Sequence, residues 1–176
     1  SAQSTPTNAA SFTYTLTFSE TVTGVAAGDF SNTGTATGCS FDPGSDSGSS
    51  RTVTVSGCAS GTVIPRFAAN GASDSASNTG PALASTATST ITVDVTAPSV
   101  SSFTSAQSTP TNAASFTYTL TFSETVTGVA AGDFSNTGTA TGCSFDPGTD
   151  TGSSRTVTVS GCSAGTVTPV FAANGA

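Results

Sequence analysis

The sequence predicts an all-β chain, and three observations predict it. Residues 12–18 place Phe12, Tyr14, Leu16 and Phe18 at every second position with hydroxyl residues between them, the period of a strand buried on one face. Such runs are short, and clusters rich in Gly, Pro, Asn, Asp and Ser, the residues that form turns, separate them. Residues 12–30 also return letter for letter at 116–134, 104 residues later, so whatever the first run builds is built twice.

The repeat organises the whole chain. Residues 1–72 match residues 105–176 at all but six positions, Ser45/Thr149, Ser47/Thr151, Ala59/Ser163, Ser60/Ala164, Ile64/Thr168 and Arg66/Val170. Only the last exchanges a charge for an aliphatic group. The 176 residues therefore hold about one and two-thirds copies of the repeat and read as a window cut from a longer array of near-identical units.

Taken in order, residues 1–10 are a polar lead-in with Pro6 and Asn8, a connection between strands. The strand at 12–18 ends at Ser19-Glu20, and the chain turns over 24–28 and re-enters the core at Phe30. Asp29-Phe30 starts a short strand, with a turn at 31–34. Residues 35–41 read as a strand carrying Cys39, and Asp42 to Ser50 is dense in turn formers. Thr52-Val-Thr-Val55 alternates again, so the two runs form a hairpin. Cys39 and Cys58 lie at its open end, which makes a disulfide across it the natural pairing, with Cys143–Cys162 its copy. Closing a loop of that size stabilises by about 3 kcal/mol on the chain-entropy model. Strict alternation, however, puts Cys58 on the face of Thr52 and Thr54. Either Gly57 resets the register as a bulge, or the bridge lies on the outer face.

Residues 62–67 read as the next strand, with Pro65 pointing to an edge or a bulge. Residues 68–81 form a long polar loop. Alternation recovers over 83–95 at Ile91, Val93 and Val95, Asp94 to Pro98 is a joint, and 100–103 opens the next unit. Seven or so short strands in roughly 100 residues, with frequent turns and no helix, is the pattern of an immunoglobulin-like β-sandwich.

Composition narrows the function. Only 7% of residues are charged, against roughly a quarter in an average soluble domain. Lys is absent, and the net charge is -7. With no basic cluster, nucleic acid and anionic membranes are poor partners. No apolar run approaches the roughly 20 residues of a membrane-spanning helix. Four cysteines in two matching pairs, in a polar chain, favour an oxidising, extracellular setting.

Thr17-Phe-Ser-Glu-Thr-Val-Thr-Gly24 followed by Asp29-Phe30, the joint Val93-Asp-Val-Thr-Ala-Pro-Ser-Val100, and the loop Ala72-Ser-Asp-Ser-Ala-Ser-Asn-Thr-Gly80 resemble the tandem bacterial immunoglobulin-like repeats of very large cell-surface adhesins. The resemblance covers essentially the whole chain. It implies domains over 1–96 and 97–176, the first without its opening strand and the second without its last one or two. It also implies a bacterial cell-surface or extracellular rod that extends something away from a cell. The chain departs from the family in its cysteine pairs, which are not a general feature of these repeats, and in a charge content low even for them.

Catalysis has little to work with. His is absent along with Lys, so the serines lack a base and no acid, base and nucleophile assemble. Asp42 and Asp46 could be imagined as paired carboxylates, but in a Gly- and Ser-rich tip they read as turn formers. The cysteine spacing fits no zinc pattern. Calcium, which takes several oxygen ligands with carboxylates among them, is the candidate cofactor. Its candidate ligands are Glu20, Asp29, Asp74 and Asp94, with Glu124 and Asp133 in the second copy. In the adhesins that the chain resembles, calcium often stiffens the junction between units, and Asp94 with Glu20 or Asp74 would suit such a site. The alternative is that each carboxylate caps a turn or accepts backbone N–H bonds.

The outward threonines, Thr13, Thr15, Thr17, Thr52 and Thr54, admit ice binding, O-linked sugars or plain strand formation, and β-propensity alone explains them. No N-glycosylation sequon occurs, and without Lys no Lys–Asn isopeptide bond can form. The expected function is a structural, non-enzymatic stalk whose partners are neighbouring repeats. The alternatives are a fibre subunit joined to other copies by strand complementation, and weak multivalent binding of surface glycans or proteins.

Overall fold

The computed structural model describes residues 1, 3–44, 48–148 and 152–175. It is all-β, consistent with the β-sandwich class, and forms two compact units, Ser1–Thr96 and Ala97–Ala176. Among the described residues no helix is long and apolar enough to cross a membrane.

The first unit runs β1 (Ser11–Thr17), β2 (Phe30–Asn32), β3 (Ser40–Asp42), β4 (Ser50–Ser56), β5 (Gly61–Val63), β6 (Pro65–Phe67), β7 (Ala72–Ser73), β8 (Thr79–Gly80), β9 (Ser85–Thr86) and β10 (Ile91–Val93). Its sheets have the orders β1-β4-β3, β2-β6-β9, β10-β5 and β7-β8, all antiparallel. The second unit runs β11 (Val100–Thr104), β12 (Ser115–Phe122), β13 (Phe134–Asn136), β14 (Ser144–Asp146), β15 (Ser154–Ser160) and β16 (Pro169–Phe171), in sheets β11-β12-β15-β14 and β13-β16.

The alternation at 12–18 does what its period requires. Phe12 pairs with Val55, Tyr14 with Val53 and Leu16 with Arg51, so these side chains share the inward face. Phe12, Tyr14, Val55, Val63, Ile91 and Val93 form one buried cluster. Val22, Val25, Phe67 and Ala72 form another, with Leu16, Phe18 and Phe30 against it. Each such side chain contributes about 1.5–3 kcal/mol when fully buried. The thin apolar content is thus concentrated where it counts. Leu120, Phe122, Val126, Val129, Phe134, Phe145, Val157 and Val159 make the core of the second unit.

Several expected elements differ. The run 35–41 is a strand only over β3. Before it, Thr35 and Ala36 give their amides to the Thr62 side chain and carbonyl, at 2.9 and 3.0 Å, which holds 33–36 as a loop. The run 62–67 is two strands, because after Val63 the chain passes from partner β10 to partners β2 and β9. Pro65, which cannot donate, opens the second of them. The polar loop 68–81 contains the β7–β8 ribbon. In the run 83–95 only Ile91 and Val93 are buried, while Leu83 and Val95 are exposed. Among the described residues, ten short strands therefore stand in the first unit where about seven are expected.

Asn32 ties the sheet change to the loop beside it. Its Nδ2 donates to the Ala36 carbonyl at 2.8 Å and the Thr62 carbonyl at 3.1 Å. Its Oδ1 accepts from Gly34 at 3.0 Å and Ile64 at 2.7 Å. Gly34 has to be glycine, since a Cβ there would fall on the Thr62 carbonyl. Asn136 repeats the arrangement, accepting from Gly138 and Thr168 and donating to Ala140. Asn136→Ala strands two amides and a carbonyl at a half-buried site, at a cost of about 2 kcal/mol. Chemical denaturation should show this as a lower midpoint for the second unit with the slope unchanged.

Arg51 and Arg155 are the buried cations, each 2% exposed. Arg51 Nη2 donates to the Val22 carbonyl at 2.9 Å, and Arg155 Nη2 to the Val126 carbonyl at 2.7 Å. Each guanidinium thereby ties the loop after the first long strand to an inner strand of its sheet.

Candidate functional site

The covalent feature of each unit lies at the open end of its hairpin. Cys39–Cys58 and Cys143–Cys162 are disulfides with Cα atoms 4.2 Å apart in both. The conflict over the face of Cys58 is resolved by Gly57. β4 ends at Ser56, Gly57 takes φ +70°, and the chain turns so that Cys39 and Cys58 both pack against the core cluster. Gly38, at φ +74°, makes the same reversal on the opposing strand, and a left-handed conformation at each is cheapest for glycine. The Ala59 amide then donates to the Thr37 carbonyl at 2.8 Å and closes the end.

The four aspartates among the candidate calcium ligands are engaged locally. Asp29 Oδ2 accepts from the Ala26 amide at 2.8 Å, and Asp133 Oδ2 from the Ala130 amide at 2.7 Å, each capping a single 3-10 turn. Asp94 Oδ1 accepts from the Thr96 amide at 3.1 Å. Asp74 takes the amides of Ala76 and Asn78 on Oδ1 and the Asn78 side-chain amide on Oδ2, all at 2.8 Å. Glu20 is exposed and Glu124 half-exposed. Glu20 and Asp74 do line one groove of about 340 Å³, but among the described residues no three acidic, His or Cys side chains gather as a metal site needs. Asp42 accepts from the Gly44 amide at 2.9 Å, as a turn former does. Asp46 lies outside the described residues.

The donors around Asp74 have a measurable consequence. The Asn78 side chain, first, and then the Asn78 and Ala76 amides hold its carboxyl below the ordinary Asp range. A folded-state pKa below the unfolded one means that this loop is fully stabilised above the ordinary Asp value. The stabilisation is lost as pH falls through the lower, folded value. In an NMR titration the Ala76 and Asn78 amides should therefore shift with a midpoint below that of a free Asp. Asn78→Ala should move that midpoint up.

The threonines form an outward hydroxyl face, with Thr13 opposite Thr54 and Thr15 opposite Thr52. The same pairs recur as Thr117–Thr158 and Thr119–Thr156.

Sequence reasoning missed Arg51 and Asn32. Arg51 stands in phase with Val53 and Val55, so the period of two already placed it inside. Asn32 sits in an Asn-Thr-Gly turn that looks like any other, and no sequence signal marks its bonds to residues 30 positions away. Comparison with family models, with curated proteins and with solved structures finds no match.

Proposed function

We propose that this chain is a structural, non-catalytic extender: tandem immunoglobulin-like sandwich repeats forming part of the stalk of a bacterial surface adhesin or an extracellular filament. The observation that carries the reading is that the two units repeat the same internal fastenings. Arg51 and Arg155, Asn32 and Asn136, the disulfides and the flanking glycines hold equivalent places. Scaffold and surface are alike in both copies, which suits a spacer better than a single specialised binding head. The disulfides fit an extracellular location, where they persist. The partners of such a unit are the neighbouring repeats, with copies in a filament or surface glycans and proteins as further ones.

Small-angle scattering from chains of two, three and four repeats tests the reading. A stalk gives a maximum dimension that grows by a constant step per repeat. Growth near the cube root of mass would mean that the repeats collapse on one another, and would sink it.

A further inference from the structure

Three polar side chains are buried among the described residues, and Thr7, 9% exposed, is the neutral one, Arg51 and Arg155 being the others. Thr7 lies in the lead-in 1–10, which the sequence marks only as a connection. Yet it forms a parallel bridge with Val93 of β10. The Thr7 amide donates to the Thr92 carbonyl at 2.9 Å, and the Asp94 amide donates to the Thr7 carbonyl at 2.8 Å. The Thr92 amide donates to Thr5 Oγ1 at 2.8 Å. Three bonds thus join residues 5–7 to residues 92–94. The Thr7 hydroxyl is held in turn, accepting from Gln3 Nε2 and from the Ala9 amide, both at 3.1 Å.

Residues 5–7 and 92–94 lie close to the two ends of one compact unit, Ser1–Thr96, and they run in the same direction. A pull on the two ends therefore drives them past each other, in opposite senses along a common axis. Hydrogen bonds lie across paired strands, so this pull shears all three together. It cannot open them one after another, as it would in a hairpin parted at its mouth. Ile91 and Val93 belong to the core cluster and are each 2% exposed, so the strand that receives the pull is itself held by the core. The three bonds also connect the two points where force enters, and the sheets between them are spared until the bonds break.

We infer that the parallel pairing of residues 5–7 with residues 92–94 is the force-bearing clamp of the first unit, and that the Thr5 hydroxyl is one of its bonds. The inference deepens the stalk reading and rests on it for the use of the clamp, while the geometry stands by itself. One hydrogen bond adds little to equilibrium stability in water, where the freed groups find new partners. Under tension the same bond carries a fixed share of the load. A substitution in the clamp is therefore felt as a loss of unfolding force out of proportion to any loss of stability.

The test stretches the 176-residue chain by its ends with both disulfides intact and reads the peak force of the first unit. That unit releases the greater length, since Ser1–Thr96 is longer than Ala97–Ala176. Thr5 is exposed, so substitutions there leave the core intact. Thr5→Val should lower the peak force by about a third, one of the three load-sharing bonds being lost. Thr5→Ser, which keeps the hydroxyl, should restore it. Asn32→Ala breaks bonds to Gly34, Ala36, Thr62 and Ile64, away from both ends. It should lower the urea midpoint of the first unit and leave the peak force as it was. An unchanged force in Thr5→Val, or forces that simply follow the urea midpoints of the three variants, would overturn the clamp. Either result leaves the scattering test of the stalk untouched, so the two readings fail separately.

Discussion

Replacing Cys39 and Cys58 together by alanine is expected to destabilise the first unit by about 3 kcal/mol, with the same loss from the Cys143 and Cys162 pair in the second. The bridge joins residues 19 apart in sequence at the open end of the β3–β4 hairpin, so it restricts the unfolded chain and also fills core volume. For a unit of this size the change lowers the melting temperature by about 12–24 °C. Calorimetry on the wild type, each pair variant and the reduced protein checks it. A loss under about 1 kcal/mol would mean that the Ala59–Thr37 bond and the strand ladder already close the hairpin without the covalent link.

Arg155→Ala is expected to cost the second unit about 3 kcal/mol, and Arg51→Ala the first unit as much. The substitution removes a long aliphatic stem from a nearly fully buried position and leaves the Val126 carbonyl without the donor at 2.7 Å. Arg155 Nη1 also donates to the Gly152 carbonyl at 3.1 Å, so the loss spreads to the loop before β15. Arg155→Lys should recover only part of the stability, because an ammonium cannot reproduce the planar fork that reaches two carbonyls. Urea denaturation of the three proteins measures it. Full rescue by lysine would show that charge, and not fork geometry, holds the loop.

Both predictions rest on features of unequal legibility. The strand at 12–18 was plain because a period of two is a local property, and the cysteine pairing followed from the hairpin that the same period implies. The inward position of Arg51 was present in that period but masked by the expectation that arginine faces water. Asn32 was not legible, because its role depends on the chain changing sheets at Ile64, and that change is a tertiary event. The carboxylates show how a scarce residue type can draw attention that its local bonding explains. Scarcity made Asp29, Asp74 and Asp94 stand out, yet each accepts amides from its own turn, an ordinary local use.

The most direct test of the extender account is to stretch single molecules by their ends, oxidised and then reduced. The account predicts two discrete unfolding events, one per unit. Each should release more chain after reduction, by about 60 Å, since 19 residues span ~3.3–3.6 Å apiece and the disulfide holds their ends within 4.2 Å. Units that yield without discrete events, or a released length that reduction leaves unchanged, would contradict it.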